Sequence, residues 1–171
     1  TIAYSGFVNS ETDAVLDVQP TIATTANATS PAGTPVPITL SAGSDNNYTY
    51  SLNNGTLTIT KATATVALAS LTPTYTGNPL AATATTTPAG LTVDFTYDGS
   101  ATIPTNAGSY TVIGTINDTN YQGSSAGTLV IAKATLTATA DNKSRVYGAA
   151  NPALTVSYSG FLNGDTDGDI D

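Results

Sequence analysis

Apolar and polar residues alternate in short runs along this chain, and no stretch of any length recurs at the helical spacing. Leu91, Val93, Phe95 and Tyr97 alternate with polar neighbours up to Asp98-Gly99. Tyr110, Val112 and Ile116 do so after Ala107-Gly108, and Val36, Ile38 and Leu40 after Ala32-Gly33. A period of two sends successive side chains to opposite faces of a pleated strand, so each run predicts a strand with one face on a core. Pro35 and Pro37 lack the N–H a ladder needs, which predicts that the 36–40 strand lies at a sheet edge or a bulge. Tyr48-Thr49-Tyr50-Ser51-Leu52, Asn53-Asn54-Gly55 and Thr56-Leu57-Thr58-Ile59 read as strand, turn and strand, with Asn-Gly supplying positive φ. The one helical candidate is short, Ser10-Glu11-Thr12-Asp13-Ala14-Val15-Leu16. It opens with Ser and carries early acids that suit a helix N-terminus. The fold class is all-β, built of small antiparallel sandwich-like modules in a linear array.

The parity of the alternation breaks at two places. In Thr56-Leu57-Thr58-Ile59 the apolar residues fall on odd positions, whereas after Lys61 they fall on even ones, Ala64, Val66 and Leu68. Faces alternate strictly, so one strand ends and another begins near Lys61-Ala62. The same flip occurs at Lys133-Ala134, between Leu129-Ile131 and Leu136-Ala138.

Internal repeats give these junctions a meaning. Tyr4-Ser5-Gly6-Phe7 returns as Tyr158-Ser159-Gly160-Phe161, a shift of 154, which also carries Asn9, Thr12 and Asp13 onto Asn163, Thr166 and Asp167. A shorter shift of 72 carries Gly55-Thr56-Leu57-Thr58-Ile59-Thr60-Lys61-Ala62-Thr63 onto Gly127-Thr128-Leu129-Val130-Ile131-Ala132-Lys133-Ala134-Thr135. Residues 61–132 then form one complete module. Residues 1–60 are the later part of a second kind that lacks its first strands, and residues 133–171 begin the next copy of that kind. The N-terminal part holds no counterpart of Lys133 to Leu154, which includes the strand Thr135-Leu136-Thr137-Ala138-Thr139-Ala140. The chain is expected to be a piece of something longer, beginning and ending inside a repeat.

Composition narrows the chemistry. The 171 residues include 34 Thr and 25 Ala but no Cys, His, Met or Trp. Thiol nucleophiles, imidazole bases and zinc cages are thereby excluded. Thr stiffens a strand through its branched Cβ while its hydroxyl keeps an exposed face wet. Four basic residues against twelve acidic ones leave no cationic face for phosphates, so no nucleic acid is expected as a partner. No apolar run approaches the roughly 18–20 residues of a membrane-spanning helix, so no membrane insertion is expected. Nothing places two acids in a cleft, and an enzyme is not expected.

Four of the twelve acids lie in the last seven residues. Asn163, Asp165 and Asp167 occupy positions 1, 3 and 5 of a calcium-loop pattern, with Gly168 at 6, Asp169 at 7, Ile170 at 8 and Asp171 at 9. Calcium, held by Asn163, Asp165, Asp167, Asp169 and Asp171, is the one cofactor this spacing raises. The alternative is a solvated acidic turn, and the N-terminal copy, Asn9 to Asp17, keeps most donors but loses the Gly. Lys61, Lys133 and Lys143 are the candidates for isopeptide cross-links. Such a bond needs a buried acid beside the lysine, and none is evident; exposed junction lysines are the expectation.

Val146-Tyr147-Gly148, Asn151-Pro152-Ala153-Leu154-Thr155 and Tyr158-Ser159-Gly160-Phe161 resemble the YGX type of the MBG modules (mostly β, glycine-rich). So do Gly33-Thr34, Asn47-Tyr48 and Asn54-Gly55-Thr56-Leu57-Thr58-Ile59. The central module, with Tyr75-Thr76-Gly77, Tyr97-Asp98-Gly99 and Asn120-Tyr121, is similar to the sister type. The resemblance implies tandem repeats of bacterial extracellular, adhesin-like surface proteins. It leaves two module folds open, Ig-like or β-grasp-like with a short helix near 10–16. The implied role is a stalk, spacer or fibre shaft whose partners are adjacent repeats or neighbouring copies head-to-tail. Residues 133–154 would then supply the strand missing from residues 1–60 of the next copy, although residues 155–171 duplicate residues 1–17 there and compete for the same place. The rival role is a module binding a glycan or surface ligand, with calcium at the acidic tip.

Overall fold

The computed structural model describes residues 1–170. Among these the chain is β throughout, apart from two single turns of 3-10 helix, Asp13–Val15 and Asp167–Asp169. It divides into two compact units, residues 1–62 with 119–121, and residues 63–118 with 122–170.

The first unit carries β1 (Thr21–Thr24), β2 (Val36–Ser41) and β3 (Gly55–Leu57) in the order β1-β2-β3, all antiparallel. Val36, Ile38 and Leu40 point inward and half-buried, as their alternation requires. The strand is nevertheless central, not an edge. Its two neighbours flank different halves: β3 lies beside Val36–Ile38 and β1 beside Ile38–Ser41. Pro37 therefore has a ladder on one side only, and its missing N–H falls at a local edge.

Two further expectations are corrected here. Gly55–Leu57 pairs with β2, and residues 48–52 belong to no strand. Asp45 Oδ1 accepts the amides of Asn47 (2.8 Å) and Tyr48 (2.9 Å), and Asn54 Oδ1 accepts the amide of Leu40 (3.1 Å). Asp45 thus holds the Tyr48 amide at the start of the expected hairpin, and Asn54, in its turn, reaches out to β2 instead. The short helix is a single turn capped by Thr12, whose hydroxyl accepts from Ala14 N at 3.4 Å. Asn9 and Ser10 sit at φ 55° and 61°, left-handed values that stop the turn from starting at Ser10.

β4 (Ala62–Thr63) leads into the second unit. There β5 (Thr65–Ala69) pairs with β6 (Thr83–Thr87). β7 (Val93–Tyr97) pairs with β8 (Gly108–Ile116). β9 (Tyr121–Gln122) pairs with β4, and β10 (Ser124–Ile131) joins the other edge of β8, giving the order β10-β8-β7. The β5-β6 sheet faces this one across Leu68. A Cβ on Gly114 or Gly127 would come to 3.0 Å from a Leu68 methyl, so the two glycines let the sheets close on that side chain. Behind it Val112 and Leu129 are fully buried, with Ala82, Tyr97 and Ile131 around them. After Tyr97 the chain turns through Asp98 (φ 49°) and Gly99 (φ 83°), the two positive φ values that a tight two-residue turn demands. Asp98 Oδ1 then accepts the amide of Thr111 at 2.7 Å.

Beyond Ile131 a new pair begins, β11 (Thr137–Ala140) with β12 (Val156–Ser159), antiparallel in the register Thr137–Ser159 to Ala140–Val156. The parity break at Lys133-Ala134 is the gap between β10 and β11. All eight residues of this ladder are exposed.

Candidate functional site

The two copies of the Tyr-Ser-Gly-Phe motif each border a cavity, and the acidic tip is part of one of them. In the second unit a cavity of about 370 Å³ is lined by Tyr75, Lys133, Leu136, Phe161, Asp165 and Ile170, among others. In the first unit a cavity of about 310 Å³ is lined by Tyr4, Phe7, Leu16, Leu40, Tyr48 and Tyr50, among others.

The chain reaches the acidic tip from Phe161 through Asn163 at φ 52° and Gly164 at φ 86°, a left-handed pair that reverses its direction. Asn163 Nδ2 donates to the Gly77 carbonyl at 2.7 Å. The fit is tight: a Cβ on Gly77, which sits at φ 78°, would lie 2.2 Å from Asn163 Cβ. Asp165, half-buried, accepts from the Tyr75 hydroxyl at 3.1 Å. That carboxylate holds the Tyr75 phenol above its ordinary value. Asp167 opens the 3-10 turn, and Asp169 Oδ2 caps it by accepting the amide (2.8 Å) and hydroxyl (3.0 Å) of Thr166. Those two donors keep the Asp169 carboxyl below its ordinary value. Asp171 lies outside the described residues.

The calcium pattern is therefore laid over donors with other work. Asn163 presents its amide nitrogen to Gly77, Asp165 faces Tyr75, and Asp169 turns back on its own helix turn. Among the described residues no group of three or more His, Cys, Asp or Glu is placed to hold a metal ion. No charged or polar side chain is buried among them, so no lysine has a buried acid beside it.

Sequence reasoning missed the partners of the tip. Tyr75-Thr76-Gly77, part of the central module's likeness to the sister type, holds the tip, Tyr75 through Asp165 and Gly77 through Asn163. The signal available was the exchange of Glu11 for Asp165 under the 154 shift, which kept an acid at that position. In the first unit Glu11 accepts a hydrogen bond from the Tyr48 hydroxyl. This contact raises the Tyr48 phenol in turn. Tyr48 also accepts the amide of Val8 at 3.3 Å and sets its ring edge-on to Phe7, centroids 5.5 Å apart. Nearby, Asp45 Oδ2 accepts the amide of Asp17 and Asp17 Oδ2 accepts that of Asn46, each at 3.1 Å, flanking the Val18–Ser44 bridge.

Comparison with known proteins returns one kind of module in two types. A model described as MBG domain matches residues 64–135, and one described as MBG domain (YGX type) matches residues 1–58 and 136–171. No curated protein and no solved structure matches the chain.

Proposed function

The chain belongs to the MBG-domain family, more than half of it to the YGX type, and from that premise we propose that it is a spacer segment of an extracellular surface shaft. MBG domains are repeat modules of surface proteins and a structural, non-catalytic domain type. No helix among the described residues is long and apolar enough to cross a membrane. The observation that carries the proposal is the 154-residue period, which alternates the two module types along one chain. A spacer has to be long, wettable and indifferent to redox state. Exposed strands such as Thr21–Thr24, Thr137–Ala140 and Val156–Ser159, in a chain without Cys, supply wettable length that no reductant alters. Neighbouring repeats join head-to-tail in this reading, each completing strands that the other leaves unpaired.

Small-angle scattering from proteins carrying one, two and three copies of the 154-residue period tests the reading. A spacer lengthens by a constant increment, roughly 30–40 Å per module. A maximum dimension that grows only as the cube root of chain length overturns it.

A further inference from the structure

Two Asn-Gly steps occur in the chain, Asn54-Gly55 and Asn163-Gly164, and the fold holds their side-chain amides by opposite ends. Glycine has no Cβ, so its backbone nitrogen can close on the Cγ of the asparagine before it. Negative charge then gathers on Oδ1, and the group expelled is Nδ2. At Asn54, Oδ1 accepts the Leu40 amide at 3.1 Å, while Nδ2 has no hydrogen-bond partner among the described residues. A donor is thus aimed at the oxygen where charge develops, and no bond retains the leaving nitrogen. At Asn163 the arrangement is reversed. Its Nδ2 donates to the Gly77 carbonyl at 2.7 Å, and its Cβ stands 2.2 Å from where a Gly77 Cβ would lie. The attacking nitrogens differ as well. Gly55 faces Ile38 in the last of the three residue pairs between β2 and β3, and such an end rung opens readily.

We propose that Asn54-Gly55 is a self-modification site, and that Asn163-Gly164 is held against the same reaction. Gly55 N attacks Asn54 Cγ, and the new C–N bond closes a succinimide ring. The Cγ–Nδ2 bond breaks, and Nδ2 leaves as ammonia with the proton that Gly55 N gives up. Water then opens the ring at either carbonyl, leaving aspartate or isoaspartate and one added negative charge. Aspartate keeps an acceptor oxygen for the Leu40 amide. Isoaspartate instead routes the main chain through Cβ and Cγ, which adds one carbon directly ahead of β3 and carries the acceptor away from Leu40. The Ile38–Gly55 rung loosens with it. From there β3 leads to Ile59, whose carbonyl accepts the Gly33 amide at 2.9 Å, and on to the junction at Lys61. The shift of 72 places Ala126-Gly127 where this module has Asn54-Gly55, so the central module has no side-chain amide to react. The result is a one-way clock that loosens β3 in old copies and spares the sister type. This chemistry is independent of the spacer role.

The test incubates the full chain at mildly alkaline pH, folded and in denaturant. Cleavage at Lys61 and Arg145 separates the two steps, and fragment masses locate each amide-to-acid exchange. In denaturant both steps convert at similar rates. In the folded chain Asn54 converts about tenfold or more faster than Asn163, an effect within reach of one well-placed donor. G55A adds a methyl 3.7 Å from Ile38 Cβ, an ordinary contact, so the fold is kept while conversion at Asn54 slows. Hydrogen exchange at the Leu40 amide speeds up in the isoaspartate product and stays slow in N54D. Three results overturn the proposal: folded Asn163 converting as fast as Asn54, Asn54 staying intact while the denatured chain converts, or G55A converting as fast as the parent. Leu40 protection that survives in the isoaspartate product overturns the loosening of β3.

Discussion

Residues 4–16 and 158–170 are two copies of one sequence in two settings. Their local geometry repeats closely. Asn9 and Asn163 take φ 55° and 52°, Gly6 and Gly160 take 98° and 103°, and each copy ends in a three-residue 3-10 turn behind a threonine, Thr12 or Thr166. The acid two residues after the asparagine meets a tyrosine hydroxyl in both, but the two tyrosines are not equivalent. Glu11 meets Tyr48 of its own module, while Asp165 meets Tyr75 of the preceding module of the other type. Backbone conformation travels with the repeated sequence, because glycine and asparagine at those φ values are a local demand. The tertiary partner does not travel with it. A phenol is supplied by whichever module packs there, while upstream of the second copy the side chains of Val146 (79%), Tyr147 (104%) and Leu154 (80%) stand exposed.

Gly77 is where the two settings can be separated most sharply. Only the C-terminal copy has a Gly77 against its asparagine, so G77A strikes one copy and spares the other. A methyl at φ 78°, 2.2 Å from Asn163 Cβ, has no room, and the left-handed conformation adds strain of about 1–3 kcal/mol. The expected outcome is a lower unfolding temperature, with the Asn163 side-chain amide and the Tyr75 hydroxyl signals shifted. The Glu11 and Tyr48 signals stay in place. If the N-terminal copy responds equally, the two settings are not independent.

A milder cut compares the two phenols directly. Y48F and Y75F each delete one hydroxyl and leave the ring. Tyr48 donates to Glu11 and also accepts from Val8 N, whereas the one hydrogen bond seen for the Tyr75 hydroxyl is its donation to Asp165. Y48F is therefore expected to lower the unfolding midpoint more than Y75F, because it also leaves a backbone amide to find water. Denaturant titration of the two variants against the parent chain ranks them, and the reverse order would show that the contact between modules is the stronger one.

The comparison also shows what a single sequence makes legible. Strand periodicity located β2, β7, β8 and β10, because Val112, Leu129 and Ile131 alternate strictly with exposed neighbours. The parity flips placed the breaks near Lys61 and Lys133 for the same reason. The 48–59 hairpin failed because Asn53-Asn54-Gly55 is a good turn signal only while its side chains stay out of the ladder, and Asn54 instead reaches Leu40 across 14 residues. Pro35 and Pro37 point to an edge or a bulge, whereas neighbours of unequal reach let a central strand carry Pro37. At the acidic tip, spacing alone pointed to a ligand for Asn163, Asp165, Asp167, Asp169 and Asp171. Spacing is blind to the tyrosine and the glycine carbonyl that arrive from 86 to 90 residues away.

The smallest effect expected is one of pH, and it bears on both copies at once. Tyr48 and Tyr75 are raised above the ordinary phenol value of 10.0 first by their carboxylate partners, Glu11 and Asp165. A phenol whose pKa is higher folded than unfolded binds its proton more tightly when folded. Its contribution to stability is therefore complete below pH 10 and is lost as pH rises through the folded value. Asp45, Asp141 and Asp169 run the other way. The amide of Asn47, the hydroxyl of Ser157 and the amide of Thr166, respectively, are the chief causes that lower them from 3.8. Their contribution is present above that value and fades as pH falls through the lower, folded one. The stability profile should thus be flat between these limits, with an alkaline shoulder that Y48F and Y75F each reduce. Ultraviolet absorbance at high pH reads the same groups directly, since Tyr48 and Tyr75 should ionise above the ordinary phenol value of 10.0. If Y48F and Y75F leave the alkaline shoulder unchanged, the two carboxylate–phenol contacts are absent in solution, and the parallel between the copies goes with them.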